Sequence, residues 1–381
     1  MKKVIFGTAL ASMALLSACS SDNELANVET TANNAIGFHV VGNKAETRAT
    51  IVDNNNLTFT DFNVFAFTED SKTFMGSTDP GHEGINISYT GEAENGKWGY
   101  TNQNDLRYWP EATTKLNFYA VNPGSKVAEN MSQSYIWEIN NSAQTITYHC
   151  ADEHGSGARH ENIDVMYAIA KAQTQNINSG RVKFQFKHIL SQIAFKAKTQ
   201  NADFVVDIAS IKLHNPIIAN TFTFPATAEE DPTQSNWGNT AVAPIGAITI
   251  GMDETKNITS AGIEVFTKPT LFIPQTLIAW TPSTKTRGEA DNATPKQSYL
   301  EISCKIKHKD FYIFGNETTY STLFVPFSAD WQPGKRYVYT LIFGGGYNDQ
   351  GQAILQPINF EAEVKAWDEN ETNNSDIIIN K

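Results

Sequence analysis

Cysteine is nearly absent from this chain, with three residues in 381, at positions 19, 150 and 304. Cys19 sits in the N-terminal leader, while Cys150 and Cys304 lie far apart, in different halves of the sequence. That usage excludes a disulfide-stapled secreted fold and predicts two buried or free thiols rather than a bridge. Charge is sparse too: 18% of residues, 41 acidic against 29 basic, for a net charge of −12 spread without blocks. Such an acidic surface argues against nucleic acid as a partner and against a basic membrane-binding face. No stretch keeps helical periodicity for more than two turns. Catalytic signatures are missing as well. There is no GxSxG elbow, no HExxH, no Walker loop and no GxGxxG after a strand, so neither enzymatic activity nor a cofactor is expected. The glycine run at 344–346 follows a strand and suits a hairpin loop, since a phosphate cradle would need a helix N-terminus.

What the chain does have is strand-forming sequence: 40% hydrophobic and 11% aromatic residues, enough to build a core. Residues 19–35 are polar, aperiodic and read as a flexible tether. Next comes IGFHVV, 36–41, a short strand with Ile36, Phe38 and Val40 on one face. After the loop GNKAETRA, further strands are predicted at 57–60, 62–67, 85–90, 116–121, 135–139 and 145–149, separated by Gly, Asn, Asp and Pro clusters. The segment RVKFQFKHILSQIAFKAK, 181–198, alternates well, with a helical turn expected near 188–191. The polar stretch KAQTQNINSG before it places a domain boundary near residue 180. Additional strands are expected at 203–213, 245–250, 262–266, 270–273, 298–306, 310–314, 321–326, 337–343 and 358–367. In the last of these Ile358, Phe360, Ala362, Val364 and Ala366 share one face. Many short strands with frequent turns make this an all-β protein of two β-sandwiches, over 36–180 and 181–381.

Two side-chain clusters invite a chemical reading. His149, Cys150, His154 and His160 fall within twelve positions, and zinc accepts such ligands. Their spacing matches no familiar finger or hydrolase, however, and a polar inter-strand loop accounts for them without metal. Trp98, Tyr100, Tyr108 and Trp109 come nearest to a sugar-binding aromatic face, but core packing explains most aromatics of a sandwich.

The first residues, MKKVIFGTALASMALLSAC, combine Lys2 and Lys3 with an apolar run from Val4 to Leu16. The run is too short to span a bilayer and reads as an export signal, residues 1–18. Leu16-Ser17-Ala18-Cys19 resembles the lipobox of bacterial lipoproteins, in which the Cys is lipidated and the preceding peptide removed. Ser20-Ser21-Asp22 resembles the export tag of surface lipoproteins in Bacteroides-like bacteria. The bland alternative is an ordinary secretory signal with an incidental Cys, which the alignment of Leu, Ser and Ala before that Cys disfavours.

Taken in order, four motifs resemble the fimbrillin family, the shell and accessory subunits of Bacteroides-type (type V) pili. They are the lipobox; Thr47-Arg48-Ala49 followed by Phe62-Asn63-Val64-Phe65-Ala66-Phe67; Asp164-Val165-Met166-Tyr167 leading into Val182-Lys183-Phe184-Gln185-Phe186-Lys187-His188; and Trp331-Gln332-Pro333-Gly334-Lys335-Arg336-Tyr337. A closing Val364-Lys365-Ala366-Trp367 fits too. The resemblance implies two transthyretin-like sandwich domains and an outer-membrane lipoprotein, acylated at Cys19, that reaches the cell surface. It further implies an Arg-specific surface protease cutting between Arg48 and Ala49, which removes the strand bearing Ile36, Phe38 and Val40. A strand from another pilin subunit then fills the groove. Donor candidates are the strand with Ile358, Phe360 and Val364 and the tail with Ile377 and Ile379. That tail is short, so an accessory or tip subunit that donates no strand stays open, as does a surface ligand for adhesion. The rival reading is a lipoprotein that keeps its lipid, never polymerises and binds glycan or a host ligand. Outside the resemblance, Arg48 is an Arg in a polar loop, usually just a solvated charge.

Overall fold

The computed structural model describes residues 34–40, 61–76, 83–90, 97–124, 135–151, 163–238, 243, 245–251, 255–343, 359–366 and 377–379. Nearly all regular structure among them is strand, with one five-residue α-helix, Arg287–Asp291, and short 3-10 turns. None of the described helices is long and apolar enough to cross a membrane.

The strand Asp61–Thr68 shows why the first half is layered. Phe62, Val64 and Ala66 point to one face and Phe65 and Phe67 to the other, and all five are buried. A strand that is apolar on both faces has to lie in the middle of a stack. It sits inside a seven-stranded sheet ordered Lys187–His188, Met166–Gln173, Leu116–Asn122, Asp61–Thr68, Ile85–Thr90, Lys97–Tyr100, with Thr73–Met75 also beside Asp61–Thr68. One face is covered by a two-stranded parallel ribbon, Gly37–Val40 against Arg181–Phe184. The other face meets a three-stranded sheet of Tyr135–Ile139, Gln144–His149 and Ala219–Thr223. That last strand, from the second half, lies beside Gln144–His149, and the same apolar cluster continues into the second half.

In the second half a five-stranded sheet runs Ile263–Phe272, Ser191–Thr199, Lys335–Phe343, Asn359–Ala366, Ile377–Ile379. A six-stranded sheet carries Ile245–Gly251, Phe204–Ile217, Tyr299–His308 and Phe311–Phe314, with Thr255–Ile258 and Ser321–Pro326 alongside. Inward residues of both sheets, among them Ile193, Phe195 and Leu341 from one and Ile208, Ile302 and Ile306 from the other, share one core. The all-β, sandwich-like expectation is met. Cys150 and Cys304 are buried and unbridged, also as expected.

The stretch 181–198 departs from the single alternating strand that its sequence suggests. It divides into Arg181–Phe184, Lys187–His188 and Ser191–Thr199, each in a different sheet. No helical turn forms near 188–191. The Ile189 amide donates to Val165 O at 3.3 Å and Leu190 O accepts from the Gly334 amide at 2.8 Å, so these groups serve tertiary contacts instead. Two of the quoted motifs converge here. His188 Nδ1 lies 2.7 Å from Asp164 Oδ2, with both side chains buried. Lys187 Nζ donates to the carbonyls of Ala228 and Glu230, and pairs with Asp231 at 2.9 Å. Ser191 Oγ donates to Gln332 O, and Gly334 turns the chain with φ +64°. These motifs therefore mark the crossing between the two halves, where buried polar groups must find partners.

Candidate functional site

The site is the groove occupied by Gly37–Val40. Its pattern of alternate apolar residues turns Ile36 and Phe38 inward, 1% and 6% exposed, with Val40 half-buried against the same cluster. On one edge the strand runs parallel to Arg181–Phe184, pairing Gly37 with Arg181, Phe38 with Val182, His39 with Lys183 and Val40 with Phe184. On the other edge Asn34 O accepts from the Trp109 amide (2.8 Å) and the Ile36 amide donates to Arg107 O (2.9 Å). Tyr100 Oη donates to Ile36 O at 3.1 Å. Burial pushes the Tyr100 phenol well above its ordinary pKa, against a smaller downward pull from the Arg107 backbone, so it stays a donor across neutral pH.

Phe38 is the anchor. Its ring stacks on Phe184 at 6.1 Å and meets Tyr100, Phe62 and Phe118 edge-on at 5.6, 6.3 and 6.5 Å. Such pairs add directional energy to the area they bury. The wall is positioned by Trp109, whose Nε1 donates to Gly180 O at 3.0 Å. Gly180 has φ +79°, and a Cβ there would come within 3.3 Å of that Nε1. Among the described residues Arg181–Phe184 has no ladder partner except Gly37–Val40.

Of the four aromatics considered for sugar binding, Tyr100 and Trp109 are buried in this groove. Trp98 packs on Phe62 (5.0 Å) and Tyr89 (5.1 Å), which leaves Tyr108, 44% exposed, without a platform beside it. Cys150 is buried with its thiol pushed up to about 12 by desolvation, and no His, Cys, Asp and Glu grouping among the described residues suits a metal. His154 and His160 lie outside the described residues, as do Cys19, Arg48, Ala49, Ile358 and the glycine run at 344–346. Phe360 belongs to the strand Asn359–Ala366, where Val364 packs on the large core, and Ile377 and Ile379 belong to the edge strand beside it. Sequence reasoning found the leader strand but missed its wall. The alternation Arg181, Val182, Lys183, Phe184 was visible, yet nothing local says that its partner is Gly37–Val40, far upstream.

Comparison with known proteins identifies this architecture. The sequence profile of the fimbrillin-like family matches residues 47–367. The chain belongs to the fimbrillin-like family. The match begins after the leader strand, one residue before Arg48. A curated relative, fimbrium subunit Fim1C of Phocaeicola vulgatus, is 30% identical over 180 residues, 46% of this chain and 46% of that protein. The fimbrillin-like chain thus spans about half the length of the curated relative it matches. A crystal structure of a fimbrial protein from Bacteroides vulgatus superposes with TM-score 0.50 at 20% identity, over 88% of this chain and 100% of that one, a likeness of fold.

Proposed function

We propose that this fimbrillin-like chain is a subunit of a cell-surface pilus, serving adhesion, that reaches the outer membrane acylated at Cys19. An Arg-specific protease cuts after Arg48, the strand Gly37–Val40 leaves, and a strand of a neighbouring subunit takes its place. The observation that carries this reading is the isolation of Arg181–Phe184, whose ladder partner among the described residues is the segment to be excised. The apolar cluster around that segment is separate from the large core.

Burying Ile36, Phe38 and Val40 is worth about 1.5–3 kcal/mol each, together roughly 5–8 kcal/mol. Excision would leave that surface and a row of backbone groups open, and another strand restores both terms at once. A head-to-tail contact of this kind propagates. Phe360-Glu361-Ala362 of the C-terminal strand repeats the order of Phe38-His39-Val40, with apolar residues two apart. This supports Asn359–Ala366 over the shorter tail as the donor.

The N-terminal residue of the protein recovered from cell-surface material tests the reading. Ala49 is expected, together with a ladder of oligomers on unboiled gels. An Arg48→Ala protein that assembles as well as wild type refutes it.

A further inference from the structure

The groove is apolar inside, but its wall strand also has an outer face. There the side chains are Arg181, half-exposed, and Lys183, exposed, two residues apart. In a chain of net charge −12, neither is paired with a carboxylate among the described residues. The leader strand offers them Gly37 and His39 as cross-strand neighbours. Gly37 carries no side chain, and a Cβ there would come within 3.1 Å of Arg181 Cγ. The strand that plugs the groove in the precursor thus gives the two cations no negative partner.

The strand Asn359–Ala366 has the complementary face. Ala362 and Val364 pack on the large core, and Glu361 and Glu363 alternate with them on the other side. In its own subunit Glu361 Oε2 lies 2.9 Å from Lys198 Nζ, and Glu363 Oε1 pairs with Lys365. Strand side chains alternate with a period of two, so inserting the apolar residues into the groove sets the glutamates against the wall's outer face. Because the alternation is the same read forwards or backwards, this holds whichever direction the incoming strand runs.

We infer that Arg181 and Lys183 select the incoming strand, favouring one whose outward residues are acidic, and that in a second copy of this chain Glu361 supplies the carboxylate for Lys183. The inference rests on the strand-exchange reading above. Glu361 exchanges Lys198 of its own subunit for Lys183 of the acceptor, so its charge is compensated before and after. The leader strand, neutral at those positions apart from His39, holds the site without that pairing and is the weaker occupant of the outer face. A donor with basic outward residues would fill the apolar groove but meet like charge directly opposite, which is destabilising.

The test uses the full chain in cells, with ladder length on unboiled gels as the readout, for wild type, Lys183→Glu, Glu361→Lys and the double variant. Each single variant is expected to reduce the high-order ladder about fivefold, as an attractive exposed pair becomes a repulsive one. The double variant is expected to restore it, although the amine introduced by Glu361→Lys then faces Lys198 in its own subunit, so a purely intrasubunit role for Glu361 predicts no rescue. Melting of the leader-bearing precursor should be unchanged in Lys183→Glu, which separates a docking defect from a folding one. Single variants that assemble like wild type, or a double variant no better than the singles, overturn the inference and leave strand exchange intact. Absence of a ladder in wild type instead overturns the reading on which the inference rests.

Discussion

Phe38→Ala in the leader-bearing precursor is the most informative single perturbation. Phe38 is 6% exposed and contacts four aromatic rings, Phe184 on the wall strand and Phe62, Phe118 and Tyr100 on strands of the floor. Truncating such a side chain costs about 3–5 kcal/mol, the transfer of the ring plus the cavity left between Phe184 and Phe118. The leader as a whole gains roughly 5–8 kcal/mol from burial, so the substitution removes about half of what holds it down. In an Arg48→Ala background, which removes the proposed cleavage site, the melting temperature is expected to fall by about 6–15 °C. Amide exchange should rise first in Arg181–Phe184, whose ladder partner among the described residues is this strand. A second arm isolates the cause. On the proposed strand exchange, filaments grown from Phe38→Ala precursor with Arg48 intact should be as stable as wild-type filaments, because the altered residue would leave with the leader. A melting change below about 1 kcal/mol equivalent, with unchanged exchange in the wall strand, would refute the idea that Phe38 anchors the leader.

Three further outcomes follow from the same geometry. Gly180→Ala should destabilise the precursor by about 1–2 kcal/mol in urea titrations, since φ +79° is strained for any residue with a Cβ and the added methyl crowds Trp109 Nε1. Burial raises both thiols, Cys150 to about 12, so neither Cys150 nor Cys304 should react with a thiol reagent at pH 8 until the chain is unfolded, as counted by mass. The hydrogen bond from His214 holds the Glu301 carboxyl below its ordinary value, so its contribution to stability is present above about pH 4.5 and is lost as pH falls through the folded pKa. Denaturant midpoints at pH 7 and pH 3.5 should accordingly differ less in Glu301→Gln than in wild type.

Much of this fold was legible in the sequence because strand alternation and turn residues are local signals. Asp61–Thr68, Leu116–Asn122 and Lys335–Phe343 fall where their apolar patterns put them. The leader strand was legible for the same reason, from Ile36, Phe38 and Val40. What a local pattern cannot carry is pairing. The run from Arg181 to Lys198 looks continuous, yet its parts belong to three sheets, because the contacts that divide it come from Val165, Gln332 and Gly334 far along the chain. The basic outer face of the wall strand was equally hidden, since Arg181 and Lys183 acquire meaning only once Gly37 and His39 are known to lie opposite. Likewise Asp164 and His188 stand far apart in the sequence and meet in one buried contact in the fold.

The position of the wall strand has a mechanical consequence. Arg181–Phe184 is joined by a few residues to Ser191–Thr199, an inner strand of the five-stranded sheet, and that strand runs parallel to Lys335–Phe343, which borders Asn359–Ala366. In a fibre held at the groove and at the C-terminal strand, tension would enter at one end of this series and leave at the other. It would pass along the short covalent link from Phe184 to Ser191 and the parallel ladder between Ser191–Thr199 and Lys335–Phe343, loaded lengthwise, in shear, where many hydrogen bonds resist together, and leave through the chain that continues to the donated strand. The remaining strands of the first half would carry little of the pull, so a subunit could lose its leader without weakening the line along which it bears load.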